Sequence, residues 1–428
     1  MKQTTTSFPI HNTELLKQQV LSWVSRFNIC CFLDNHQYSS AYQSVECLAG
    51  AGAAELFSAE TDVLPQLGRF LDTQSGWLFG HLNYDLKNEI EQLRSDHPDP
   101  VGFPTAFFFR PQVVLQLAEG VLTIQSELES PDTIFRQITA EPLPSRPEAH
   151  PLQIRSRLSK NDYISAVQEI LRHIARGDCY ELNFCQEFYS EHAVIDPLQV
   201  YSQLTAISPN PFSCFYKLDH RYLLCASPER YLQKKGNRIL SQPIKGTFKR
   251  DPDPAVDAAL KQQLQHSQKD RSENVMVVDL VRNDLSRICK EGSVQVSELF
   301  GIYSFPQVHQ MISTITGELK EDTGLMQILQ ASFPMGSMTG APKKSVMQLI
   351  ERYERTKRGI YSGAVGYISP DKDFDFNVVI RSILYNAKDQ YLGYQVGGAI
   401  TAQSDPEKEY EECLLKAAAI NKVIGFHP

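Results

Sequence analysis

Phe374-Asp375-Phe376-Asn377-Val378-Val379-Ile380-Arg381-Ser382-Ile383-Leu384-Tyr385 is the run on which the fold turns. It is rich in aromatic and β-branched residues and predicts a strand over 374–385. The stretches 363–368 and 390–399 read the same way, so three strands follow one another with no helix between them. Upstream, Ser159 caps a predicted helix over 162–176 that Gly177 ends. A strand over 180–189, a helix over 197–205 and strands over 212–217 and 222–226 follow. A long helix is predicted over 255–286, with further helices over 325–330, 341–354 and 406–423. The interleaving is irregular and lacks the strict alternation of a parallel α/β fold. It points to an α+β protein, with large antiparallel β-sheets packed together and helices on the outside.

Toward the N-terminus the pattern continues more weakly. An amphipathic helix is predicted over 13–27, with Leu15, Leu16, Val20, Leu21 and Trp23 as its apolar stripe. Strands are expected over 29–33 and 76–82, a helix over 85–90, and a hairpin of 107–117 with 121–125 turning at Glu119-Gly120. Pro131, Pro142, Pro144, Pro147 and Pro151 punctuate a polar stretch over 129–157, which reads as a linker or as a wrapping segment that crosses between two halves. The chain thus divides into an N-terminal part of the fold, 1–150, and a second region, 151–428.

The 428 residues carry a formal net charge of −8 and are 42% hydrophobic. That leaves ample core and argues against a nucleic-acid surface or electrostatic membrane binding. No apolar run reaches the ~20 residues of a membrane-spanning helix, and the first ten residues lack the apolar segment of a signal peptide. Nine cysteines, with no Cys-x-x-Cys pair, fit reduced thiols in a cytoplasmic protein.

Several stretches could carry chemistry. In Gln242-Pro243-Ile244-Lys245-Gly246-Thr247, a strand end running into a loop, Lys245 is placed to be desolvated. Desolvation lowers an ammonium pKa, and a neutral lysine is a nucleophile. Glu229, in Ser227-Pro228-Glu229-Arg230, would lie near it and form an acid/base pair with it. Glu273 opens a helical stretch that is apolar on almost every face, where a carboxylate must be paired or bind a metal. Glu409, Glu412 and Lys416 fall on one face of the last helix. Carboxylates from separate helices, without Cys or His, suit a hard cation such as Mg²⁺. In Thr339-Gly340-Ala341-Pro342, a helix predicted to begin at Ala341 would offer free N–H groups to an anion. Arg381, in an apolar strand, is expected to meet a buried acid or a bound carboxylate. Tyr361 fits a plain turn, and His309 a satisfied core histidine.

Taken together, Ser227-Pro228-Glu229-Arg230, Pro243-Ile244-Lys245-Gly246-Thr247, Ser272-Glu273-Asn274 with Asp279-Leu280-Val281-Arg282-Asn283-Asp284-Leu285, Thr339-Gly340-Ala341-Pro342-Lys343, and Gly397-Gly398-Ala399-Ile400 with Glu409-Tyr410-Glu411-Glu412 resemble the chorismate-utilising enzymes. The resemblance covers 159–428 and is weak before 150. Within that family Lys245 in Pro-Ile-Lys-Gly-Thr is similar to the aminodeoxychorismate synthases, since anthranilate synthases carry Ala there.

The resemblance implies the following roles. Glu273 and Glu412, with Glu409 close by, would hold Mg²⁺ against the ring carboxylate of chorismate. Lys245 would add at C2 while Glu229 protonates the departing C4 hydroxyl, and ammonia would then enter at C4. Tyr361, Arg381 and Gly398 would bind the pyruvyl carboxylate, with Lys416, Thr339 and the Gly340-Ala341 amides near the other carboxylate. No glutaminase nucleophile is present, so ammonia would come from solution or from a separate glutamine amidotransferase subunit. Other members often have Gln and Ser where Glu181 and Cys185 stand. The alternatives are an anthranilate, isochorismate or salicylate synthase, or a non-catalytic subunit that only positions an amidotransferase.

Overall fold

The computed structural model describes residues 3–38, 42, 45–142 and 152–426. Every strand pairing among them is antiparallel, and the pairings join all of the strands into one continuous network. Helices lie outside it, and two apolar cores fill the interior. This is the predicted α+β architecture. No helix among the described residues is long and apolar enough to cross a membrane.

The two sequence regions share these sheets. Ile29–Asp34 pairs with Phe212–Leu218, and Leu78–Leu82 pairs with Ala364–Ile368. Leu78, Phe79 and Leu82 pack in the same core as Val277, Tyr361 and Phe376. All nine cysteines are buried free thiols.

Three elements differ from expectation for local reasons. The stretch read as a linker contains the helix Pro131–Thr139, capped by Ser130, whose Oγ accepts from Thr133 N. Pro131 at its first position starts that helix rather than breaking one; Pro144, Pro147 and Pro151 lie outside the described residues. The long helix over 255–286 is two helices, Pro254–His266 and Gln268–Ser286. Ser267 leaves helical geometry at ψ 114° and caps the second helix by accepting from Asp270 N. That helix is also not buried all round: Val275 is exposed, and the buried face runs from Glu273 and Asn274 through Val277, Val278 and Val281.

The third is the strand over 374–385. It splits into Phe374–Asn377 and Ser382–Asn386. Between them Val379 exchanges backbone hydrogen bonds with Ser362 and Gly363, and Arg381 takes φ +53°. The break lifts Ile380 and Arg381 out of the ladder and into the cleft described next.

Candidate active site

A cleft of about 600 Å³ opens between the last helix, Pro406–Val423, the turn that carries Glu229 and the strand that carries Lys245. Lys245, Glu229, Glu273, Tyr361, Arg381, Gly398, Glu412 and Lys416 all line it. The sequence had them on seven separate segments.

The Lys245 segment is a strand, not a loop: Ile244–Lys249 pairs with Val308–Glu318. The register slips between Ile244 and Thr247, where Gly246 sits at φ +92°. A Cβ on Gly246 would stand 2.9 Å from Asp270 Oδ1 and 3.0 Å from Leu264 Cδ1. Only glycine admits this conformation against the adjacent helices, and the resulting bulge aims Lys245 into the cleft.

Burial does not leave Lys245 neutral in the resting protein. Its Nζ donates to Glu181 Oε1 at 2.5 Å, and both side chains are buried. Burial alone would lower the ammonium pKa, but Glu181, Glu273 and Glu229 together outweigh it, and the net shift is upward. Resting Lys245 is therefore protonated. Replacing Glu181 by Gln is expected to remove the main raising contact and lower the Lys245 pKa. Competitive acetylation of Lys245 across pH 6–10 reads this directly: its reactive form should appear at lower pH in Glu181→Gln than in the wild type.

Glu229 lies at the turn between Arg221–Ser227 and Arg230–Lys235, where its carbonyl accepts from Val378 N at 3.0 Å. Burial raises its carboxyl to about 7 against the opposing effects of Ser337, Lys245 and the Ile244 backbone N–H. Such a carboxyl holds a proton near neutrality, as a general acid must.

Glu273 and Glu412 line the cleft, and the predicted ligand Glu409 lies beside Gly398 without lining it. Burial raises Glu273 to about 7, against the nearby Lys245 and Lys269 ammoniums, and its Oε1 is buried without a hydrogen-bond partner. Glu409 accepts from Ser404 Oγ at 2.7 Å and from Lys269 Nζ at 3.3 Å. Glu412 pairs with Lys416 Nζ at 2.7 Å, which is the main reason its carboxyl falls to about 2. A Cβ on Gly398 would stand 3.3 Å from Glu409 Oε2, 3.4 Å from Lys416 Nζ and 3.7 Å from Glu412 Oε1. The glycine leaves open the space where these groups converge. Among the described residues no three Asp, Glu, His or Cys side chains stand close enough to hold a metal as they are now placed. The Glu273 oxygen that receives no hydrogen bond, the all-carboxylate donor set and the open space at Gly398 nonetheless fit a hard cation.

Arg381 makes no side-chain hydrogen bond or ion pair among the described residues, and burial lowers its pKa. It did not meet a buried acid as a structural pair, which leaves it open to an anionic ligand. Tyr361 is buried, with its hydroxyl 3.7 Å from Cys185 Sγ. Lys416 also donates to Gly397 O at 2.9 Å. His309 is satisfied by Asp257 and Ser304 and lies outside the cleft.

The expected helix-start anion site is not formed. Gly340–Ala341 is a two-residue strand on Leu182 and Glu181, and the helix begins later, at Lys343. Thr339 is buried with its hydroxyl on Met335 O and Gly336 O, and none of the three lines the cleft. What Gly340 does instead is approach Glu181 closely: at φ +142°, a Cβ on it would stand 2.1 Å from Glu181 O. Gly340→Ala is expected to destabilise the fold by at least ~2 kcal/mol, from backbone strain plus this overlap. Urea titration followed by fluorescence measures it, and an unchanged midpoint would refute the close approach.

Glu181 and Lys269 were not among the predicted site residues. Glu181 stands with Asn183, Gln186 and Glu187 as a polar residue in the run over 180–189, where every residue but Tyr180 and Tyr189 is buried, and nothing local singles it out from those three. Lys269 gave no signal of its own.

Comparison with known proteins places these motifs in context. The family described as chorismate binding enzyme matches residues 30–422. A probable aminodeoxychorismate synthase of Oryza sativa is 43% identical over 62% of this chain and 30% of its own length. The aminodeoxychorismate synthase component 1 of Salmonella typhimurium is 34% identical over 85% of this chain and 79% of its own. The chain thus spans under a third of the rice protein but most of the Salmonella component. The crystal structure of anthranilate synthase component I from Streptococcus pneumoniae superposes with TM-score 0.77 at 24% identity, covering 90% of this chain and 93% of that one, and shares the fold.

Proposed function

From the premise that the chain belongs to the chorismate binding enzyme family, we propose that it is an aminodeoxychorismate synthase component I, converting chorismate and ammonia to 4-amino-4-deoxychorismate on the way to 4-aminobenzoate. The observation that carries this reading is Lys245, which lines the cleft as a buried side chain on the bulge of Pro243-Ile244-Lys245-Gly246-Thr247, together with Glu229, whose carboxyl burial raises to about 7.

Each residue then has a role set by its surroundings. Chorismate carries two carboxylates. The unpaired Arg381 guanidinium takes the pyruvyl carboxylate, with Tyr361 walling the pocket on that side and Gly398 leaving the room. Glu273, Glu409 and Glu412 would hold Mg²⁺, which when bound neutralises the ring carboxylate; Lys416 borders the same space. Lys245 first hands its proton to Glu181, which breaks the ion pair and frees the nitrogen lone pair. The amine bonds to C2, both ring double bonds shift one position around the ring, and the C4 hydroxyl leaves as water with a proton from Glu229. Ammonia adds at C4 and expels the lysine as an amine. Lys245 and Glu181 return to their resting pair, and Glu229 regains a proton from the incoming nitrogen.

The test is to incubate the protein with chorismate, Mg²⁺ and ammonium and identify the product by mass and by its chemical shifts. A 4-amino product supports the reading. Anthranilate or isochorismate would replace it with another activity of the family, and unconsumed chorismate would leave only a binding role. We further expect this chain, incubated alone, to use ammonium salts, increasingly so toward higher pH where NH₃ is more abundant, and not glutamine. Glutamine-dependent product from this chain alone would remove the need for a partner amidotransferase.

A further inference from the structure

Glu409 and Glu273 are buried on different helices, and each needs a counter-charge. Both reach the same one: Lys269 Nζ lies 3.3 Å from Glu409 Oε1 and 3.8 Å from Glu273 Oε1. Glu412 is served separately by Lys416. Lys269 is the second residue of its helix, where the helix dipole disfavours a cation. Local helix energetics therefore do not account for an ammonium here, whereas the two acids it bridges do. Lys269 is also unlike its partners in exposure. Its side chain is 41% exposed, against 10% for Glu273 and 3% for Glu409. It lines the cleft, as do Ser267 and Lys408.

We propose that the Lys269 ammonium is a resting stand-in for the divalent cation, holding Glu273 and Glu409 together until the metal displaces it. This rests on the reading of Glu273, Glu409 and Glu412 as the metal's ligands. The exchange swaps a single positive charge for a double one. Metal capture is opposed by the loss of the Lys269 contacts and favoured once substrate carboxylates join the site. Lys269 thus weakens metal binding to the empty enzyme and links it to the arrival of chorismate.

The test measures Mg²⁺ affinity of the full chain without chorismate by calorimetry, with Mn²⁺ paramagnetic resonance as a second probe. Lys269→Met removes the competing charge and is expected to bind Mg²⁺ more tightly, on the order of tenfold after allowance for solvent screening. Lys269→Arg keeps the charge and is expected to stay near the wild type. Lys269→Gln carries the expectation of Lys269→Met should the methionine disturb packing. Unchanged or weaker affinity in both neutral variants would overturn the stand-in role and leave the metal ligands as assigned. Failure of wild type and variants alike to bind either ion, even with chorismate present, would overturn the ligand assignment itself and this inference with it.

Discussion

Lys245→Ala is expected to abolish the covalent adduct with chorismate and to cut formation of the 4-amino product by at least about 10³-fold, the scale on which losing a nucleophile acts. Two geometric facts set the size of the effect. Lys245 is aimed by a bulge that no neighbouring amine shares, and among the described residues its ammonium has a single hydrogen-bond acceptor, Glu181, to take the proton. Lys245→Arg is expected to fail equally, because a guanidinium does not give up its proton. Intact-protein mass after addition of chorismate and Mg²⁺ without ammonia reads the adduct; chromatography with ammonia reads the product. Residual amination in Lys245→Ala is expected at C2, where no lysine then blocks the approach of ammonia. Wild-type rates of 4-amino product from Lys245→Ala would reduce Lys245 to a charge in the wall of the cleft.

Glu273→Gln is expected to lower turnover by at least about 10²-fold while making the metal-free protein more stable above neutral pH. The stability half of this follows from linkage. Burial raises the Glu273 carboxyl to about 7 from its ordinary 4.5. A carboxyl raised in the folded state costs nothing at low pH, where both states are protonated. It becomes destabilising as pH climbs past the unfolded value, and the full cost is reached above the folded one. That cost is up to about 3 kcal/mol. Glutamine removes the charge and keeps the shape, so melting temperatures should diverge between pH 5 and 8, with the variant higher. Glu412→Gln should lose activity without this gain, since its carboxyl is stabilised by Lys416 and lies low. A Glu273→Gln enzyme with near-normal turnover at saturating Mg²⁺ would remove Glu273 from the metal site.

Much of the site was readable because each of its groups announces itself locally. Lys245 sits between residues that shape the backbone, Arg381 stands in an apolar run, and Glu273 opens a buried helical face. The capping residues Ser159 and Gly177 did the same for helix ends. What could not be read is what depends on partners far along the chain. Glu181 is paired with Lys245 across 64 positions, and with Glu273 and Glu229 it reverses the sign of the lysine's pKa shift. Gly340 looked like a helix start because Pro342 follows. Its actual strand pairing depends on the register of residues 181–182, which no local pattern encodes. Arg381 was assigned to a strand for its composition, yet the ladder breaks there because residues 362 and 363 claim the backbone of Val379.

The pairing of Leu78–Leu82 with Ala364–Ile368 has a consequence for how the chain is made. One edge of Leu78–Leu82 is satisfied early, by Ala106–Ala118. The other must wait until Ala364–Ile368 has been synthesised. At ~5–20 residues per second, that is roughly a quarter of a minute to a minute on the ribosome with an apolar strand edge open. Contacts of such long sequence separation form slowly in any case. A ribosome-bound chain stalled short of Ala364 should therefore recruit chaperones and be cut by protease within residues 78–82, and both signals should vanish once synthesis has passed Ile368.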